Sequence, residues 1–218
     1  MAGRIREQNR ALILQAAERL FADKGFEGTT IQAIADLAGL PKSNVHYYFP
    51  TKERLYRTIL EEILQTWLAA FGRFGEHDDP AEALASYVIA KVRLSFARPH
   101  ASRIFAREML NGGHLISPFL EDELRPWVEE RAAVLRAWTR QGRLRPVDPH
   151  HLLFTIWAAT QTYADFAPQI RAIEGGDPDA ASQAAIARSV AEIVVRACVA
   201  QDDPGASTSR RGQAASAA

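Results

Sequence analysis

Residues 29–52 read TTIQAIADLAGLPKSNVHYYFPTK. Thr29 and Thr30 are hydroxyl residues set just before an apolar-periodic run, where a helix N-cap is expected. Ile31, Ile34, Ala35 and Ala38 form one apolar face. Gly39 is a stop signal, because glycine adopts the left-handed C-cap conformation at little cost. Pro41 opens the next helix, where its missing N–H is not needed. Val45, Tyr48 and Phe49 give that helix a buried side, and Lys42, Ser43, Asn44, His46 and Tyr47 give it a polar one. Two short helices around a tight glycine turn, the second rich in hydrogen-bonding groups, have the layout of a helix-turn-helix. Spacing alone leaves a solvated helical hairpin as the competing reading.

Upstream, residues 4–24 read as one amphipathic helix. Leu12, Ala16 and Leu20 recur at four-residue spacing beside Ile13, Ala17 and Phe21, and Gly25 ends the run. Arg4, Arg6 and Arg10 stand at its start against the helix dipole, which suits either phosphate contact or a solvated end. Downstream, a long helix is expected from Lys52 to Phe74, with a stripe of Leu55, Ile59, Ile63 and Trp67 flanked by Leu60, Leu64 and Phe71. Residues 75–79 read as a polar connector. Further helices are expected over 80–97, 99–110, 119–141, 149–167 and 179–200. Residues 202–218 are small and polar, with no large apolar side chain to bury, and read as a disordered tail. No segment shows strand alternation, so the fold class is all-α. The division expected is a DNA-binding domain over 4–51, its helix-turn-helix at about 30–49, and a helical ligand-binding and dimerisation domain over 52–201.

Net charge is zero, but its distribution is uneven. Residues 1–60 hold nine Lys/Arg against six Asp/Glu, and the remainder seventeen against twenty. A basic N-terminal module on an acidic body suits binding to double-stranded DNA. The single cysteine, Cys198, excludes an internal disulfide and fits a reducing compartment. No run suits a membrane span and no signal peptide is apparent, so a cytoplasmic protein is expected. Catalysis is not expected. His150 and His151 are adjacent and diverge by about 100° on a helix. His77, His100 and His114 lack metal-ligand spacing. No phosphate-binding glycine loop is present, so neither metal nor cofactor is anticipated.

The run from Gly39 through Lys42, Asn44 and the Tyr47-Tyr48-Phe49 trio to Lys52 and Leu55 resembles the DNA-binding domain of TetR-family transcriptional repressors. An aromatic pair plus Phe, followed by Lys-Glu-x-Leu, carries the resemblance. An α-helix fits the major groove with its first residues at base edges. Lys42 can donate to guanine, Asn44 can pair with adenine, and Ser43 and His46 can serve base or backbone. The resemblance implies that Tyr47 and Tyr48 lie near phosphates, and that Lys52, Thr29 and Thr30 contact phosphate. Pro41 departs from the family pattern, which has Ser or Thr there.

A second candidate site is the run Trp157 to Phe166. Trp157, Gln161 and Ala164 share a face, flanked by Thr160 and Tyr163. Polar groups on a buried stripe must be hydrogen-bonded, either internally or by a ligand. The runs Pro149–Ala167 and Phe105–Leu110 resemble pyrimidine-utilisation regulators of the same family, over residues 10 to about 173. That resemblance implies a small-molecule effector such as uracil or thymine. A Gln161 amide matches one donor–acceptor pair of such a ring and Trp157 can stack on it, with Tyr163 or Asp165 as further partners. In the last helix Ile186, Val190, Ile193, Val194 and Ala197 form a stripe that suits either the core or a homodimer interface. The family dimerises through its last two helices, and two half-sites about 34–36 Å apart need two recognition helices. The competing reading from another class is a helical dimerisation module with weak DNA binding.

Overall fold

The computed structural model describes residues 2–70 and 74–200. The expectations for Phe71 and for the tail lie outside the described residues. Within them the chain is all-α, and the sole strand-like pairing is an isolated bridge between Leu144 and Val199. The N-terminal unit comprises α1 (Ala2–Gly28), α2 (Ile31–Ala38) and α3 (Lys42–Tyr48). α1 breaks at Gly25, whose φ of 73° is the left-handed value that glycine tolerates. Its buried face is Ile13, Ala16, Ala17 and Phe21, while Leu12 turns 37% of its surface to solvent. The real stripe is therefore rotated by one residue from the expected one.

α4 (Lys52–Ala70) buries Leu55, Ile59, Ile63 and Trp67 on one side and Leu60 and Leu64 on the next. It packs against α1 at one end and against α5 (Pro80–Ala97) and α6 (Pro99–Leu110) at the other. The connector ahead of α5 is firmly held. The buried Arg131 guanidinium donates to the Phe74 carbonyl, the Trp138 indole and Arg143 donate to the Glu76 carbonyl, and Arg143 donates to the Asp78 carbonyl.

The helix expected over 119–141 is not uniform. Ser117–Phe119 forms a short turn, α7, and Leu120–Leu124 is π-helical. Regular α8 then runs Arg125–Arg140. Pro126 lacks the N–H that an unbroken α-helix would direct to the Asp122 carbonyl, and the turn before it widens. α9 (Pro149–Asp165) is capped by Asp148, which accepts the His151 N–H. Pro168 does not end a helix, as the sequence suggested. It sits in the first turn of a separate helix, α10 (Ala167–Glu174), where its missing N–H costs nothing. α11 (Ala180–Cys198) starts at an Asp179 cap and packs along α5. It stops two residues short of Ala200 because the Cys198 and Arg143 carbonyls accept from Arg145 and Ala200, which fixes the chain end to the α8–α9 loop.

Candidate DNA-binding surface and effector cavity

The helix-turn-helix is built by short-range bonds. Thr30 caps α2, its hydroxyl oxygen accepting the Ala33 N–H at 3.1 Å. Gly39 adopts φ 67° and closes the helix, its N–H reaching the Ala35 and Asp36 carbonyls. α3 follows with Val45 fully buried and Phe49 nearly so, which turns Lys42, Ser43, His46 and Tyr47 outward and leaves Asn44 half-buried. Tyr47 is 68% exposed, stands edge-on to the half-buried Tyr48 at 5.1 Å, and lies 5.9 Å from the Arg6 guanidinium of α1. One cationic helix start and one polar helix face are thus side by side.

Two of the residues assigned to phosphate are otherwise engaged. Thr29 is 1% exposed, and its hydroxyl donates to the Leu20 and Gly25 carbonyls at 3.1 and 2.7 Å. Its N–H reaches the Phe26 carbonyl, so Thr29 seals the end of α1 and has no group to offer an anion. Lys52 donates to the Phe26 carbonyl at 2.8 Å while lying over the Phe26 ring. An ammonium has three donors, so that bond occupies one of them.

A cavity of about 280 Å³ opens between α4, α5, α6, the π-helical turn and α9. Eight of its ten lining residues are apolar: Leu64, Trp67, Leu68, Phe105, Met109, Leu120, Leu124 and Trp157. The polar pair is Lys91 and Gln161. Trp67 stands edge-on to Phe105 at 5.0 Å, and the Trp157 indole N–H donates to the Tyr87 hydroxyl at 2.6 Å. That bond fixes the indole and leaves its face as what Trp157 can offer a ligand. The Lys91 ammonium lies 5.1 Å from the Trp67 ring and 5.9 Å from the Trp157 ring. Burial pulls its pKa down to about 7, partly opposed by the Asp165 carboxylate. Lys91 is therefore balanced between its two charge states near neutral pH. The Gln161 amide makes no hydrogen bond among the described residues. A small apolar chamber with few convergent polar groups is the usual form of a small-molecule site.

The four residues read from α9 separate in space. Trp157 and Gln161, one helical turn apart, both reach the cavity. Tyr163 sits about 200° round the helix from Gln161. It packs on Phe96 at 5.5 Å and lines another hollow between α6, α9 and α10. Asp165 lines that hollow as well, and its carboxylate accepts from the Ser102 hydroxyl at 2.6 Å. Burial raises its pKa, with Ser102, Lys91 and Arg103 opposing. From sequence Trp67 reads only as part of the α4 stripe, Phe105 and Met109 only as part of the run that carries the family resemblance, and Lys91 is not among the candidate site residues. Lys91 had a signal: it falls on the buried face that Leu84, Tyr87, Val88, Val92 and Ser95 define in α5.

The α11 stripe also divides. Val190 and Val194 are under 10% exposed, and Ile186 is half-buried against the core. These three pack within the subunit. Ile193, 66% exposed, and Ala197 face outward, with Phe154 of α9, 49% exposed, among the other bare apolar groups. Positions 190, 193, 194 and 197 span an arc of about 100° on the helix, wide enough for part of the stripe to pack within the subunit while Ile193 and Ala197 face outward.

Among the described residues no helix is long and apolar enough to cross a membrane, and no group of three or more His, Cys, Asp or Glu is placed to hold a metal. Cys198 is buried, which pushes its thiol pKa up and leaves it unreactive.

A helix-turn-helix on a helical body with an internal chamber is the arrangement of one-component DNA-binding regulators. Residues 13–59 match the model of bacterial regulatory proteins of the tetR family, and residues 60–201 match that of the YcdC-like protein C-terminal region. The chain belongs to the TetR family of transcriptional regulators and is not an enzyme. It is 45% identical over 163 residues to the HTH-type transcriptional regulator RutR of Escherichia coli K12, covering 75% of this chain and 77% of that protein. It is 29% identical over 140 residues to the transcriptional repressor NicS of Pseudomonas putida, covering 64% and 65%. Among solved structures it resembles AibR in complex with isovaleryl coenzyme A and operator DNA. The TM-score there is 0.68 at 22% identity, covering 85% of this chain and 97% of AibR, a likeness of fold.

Proposed function

We propose that the protein is a repressor that binds a near-palindromic operator as a homodimer and is released by a small planar effector, a pyrimidine such as uracil or thymine. Thr30, Lys42, Ser43, Asn44, His46, Tyr47, Tyr48 and Lys52 form the DNA-facing set, and the outward Ile193 and Ala197 belong to the dimer face. The observation that carries the effector assignment is the unpaired Gln161 amide beside the Trp67 and Trp157 rings and the Lys91 amine in one cavity. A pyrimidine ring presents alternating N–H donors and C=O acceptors around a flat edge. Gln161 offers one acceptor and donors in return, Lys91 offers a donor to a carbonyl, and an indole face covers the ring. The similarity to RutR supports the same class of regulator. Effector binding favours a state whose recognition-helix spacing no longer fits the operator.

A second reading has an observation of its own. A buried lysine in a largely apolar chamber also suits an aromatic carboxylate. Calorimetry with uracil, thymine and benzoate decides between the two. Heat from a pyrimidine, together with loss of a footprint on an inverted-repeat operator, supports the first; tight binding of benzoate with no heat from either pyrimidine overturns it.

A further inference from the structure

Arg98 is the single residue between α5 and α6. Its backbone is non-helical (φ −133°, ψ 60°), its N–H caps α5 at the Leu94 carbonyl, and Pro99 follows, so the elbow is stiff. Its guanidinium donates to the Glu18 carboxylate of α1 at 2.5 Å and stands 3.5 Å from the Thr66 hydroxyl of α4. The same side chain walls a void of about 10 Å³, roughly the room for one water. That void shares Trp67, Lys91 and Gln161 with the larger cavity. Beyond the elbow, α6 presents Phe105 and Met109 to the cavity. Arg98 therefore lines the void that adjoins the chamber, and its guanidinium holds α1, a helix that packs on α2.

We propose that Arg98 is the positioning residue through which occupancy of the cavity reaches the DNA-binding unit, its ion pair to Glu18 being the link. This rests on the effector reading above and deepens it. A ligand held by Gln161 and Lys91 alters the far wall of the void on which Arg98 lies, while contacts on Phe105 and Met109 shift α6 about its stiff N-terminal elbow. Either displacement is passed to Glu18, because a charged pair only 34% and 21% exposed is screened less than a surface pair. Glu18 lies between Ala17 and Phe21, which anchor α1 in the core. A rotation of α1 moves the helix-turn-helix.

The pair Arg10–Glu62 provides the comparison. It also joins α1 to α4, at 2.8 Å, but is 46% and 41% exposed and lies off the cavity. Operator affinity is measured with and without uracil, beside uracil calorimetry, for the wild type, Glu18→Gln, Glu62→Gln and Arg98→Lys. In the wild type uracil lowers operator affinity by roughly 5–150-fold. Glu18→Gln is expected to bind uracil and the bare operator within about threefold of wild type while the uracil effect falls below about threefold. Glu62→Gln and the charge-retaining Arg98→Lys keep most of the response. A full uracil effect in Glu18→Gln, or an equal loss in Glu62→Gln, overturns the link. No uracil heat in the wild type overturns the pyrimidine reading and this proposal with it.

Discussion

The Lys52 ammonium donates to the Phe26 carbonyl at 2.8 Å and sits 4.3 Å from the centre of the Phe26 ring. The first residue of the helix that leaves the DNA-binding unit thereby holds the end of its first helix. Lys52→Ala is expected to lower stability by about 1.5–3 kcal/mol, the scale of a hydrogen bond to a charged group. With its remaining donors near the DNA-facing side, the same change also flattens the salt dependence of operator binding by about one phosphate. Urea denaturation and a salt titration read the two effects separately. Unchanged stability would mean that the Phe26 contact contributes nothing.

Asn44 lies in the first turn of α3, half-buried beside the exposed Ser43. Asn44→Ala is expected to relax base preference at one operator position by roughly 1–3 kcal/mol. Binding to an operator series mutated one base pair at a time reads this. An equal loss on operator and random DNA removes Asn44 as a base reader.

Gln161→Leu keeps the bulk of the side chain and removes both donor and acceptor. The response to uracil should vanish, because a site built on hydrogen bonds discriminates through the groups left unpaired. Operator affinity without uracil should stay near wild type. Retention of the uracil heat in calorimetry would place the reader elsewhere in the cavity.

Ile193→Glu and Val194→Glu are neighbours with opposite expectations. Ile193 is 66% exposed and Val194 is 7% exposed. Glutamate at 193 should give a folded protein that sediments as a monomer, since a twofold interface receives the charge twice. At 194 it should cost several kcal/mol of fold stability, since the charge enters the α5–α11 packing. Circular dichroism and sedimentation distinguish the outcomes, and an intact dimer for Ile193→Glu would move the interface.

Lys91 has a folded pKa of about 7, well below its ordinary value. Between these values the Lys91 site of the unfolded chain binds more protons than that of the folded one, so its contribution to stability rises with pH from about 7 toward 10 and is flat and lowest below 7. Burial holds the Tyr56 and Tyr87 phenols neutral beyond their ordinary range, which opposes the trend only above about pH 10. Urea midpoints at pH 7 and 9.5 should therefore differ in the wild type by the equivalent of a few kcal/mol, in favour of pH 9.5. Lys91→Met should be more stable at pH 7 and lose most of the difference.

The helix-turn-helix was legible because its signals are local. Thr30, Gly39 and Pro41 act through bonds spanning three to five residues, and apolar period decides which face of α2 and α3 turns inward. The same is true of the Asp148 and Asp179 caps and of the all-α class. Periodicity also identified Trp157 and Gln161 as a pair, since one helical turn separates them. It could not say which hollow Tyr163 and Asp165 face, because that depends on where α6 and α10 lie. Pro168 misled, since a proline that ends one helix and a proline that starts the next look identical in sequence.

What only the tertiary structure decided is partnership across distance. Thr29 looks like any capping threonine until the Leu20 and Gly25 carbonyls are seen above its hydroxyl. Lys91 looks like a solvated charge until four helices close over it, and its pKa is a property of that enclosure. Arg98 looks like a linker residue until α1 brings Glu18 to it across eighty positions. Local bonds and hydrophobic period are written in neighbouring residues and so determine elements and faces. Burial, charge state and coupling arise where distant segments meet, and their free energies exist only once the chain has packed.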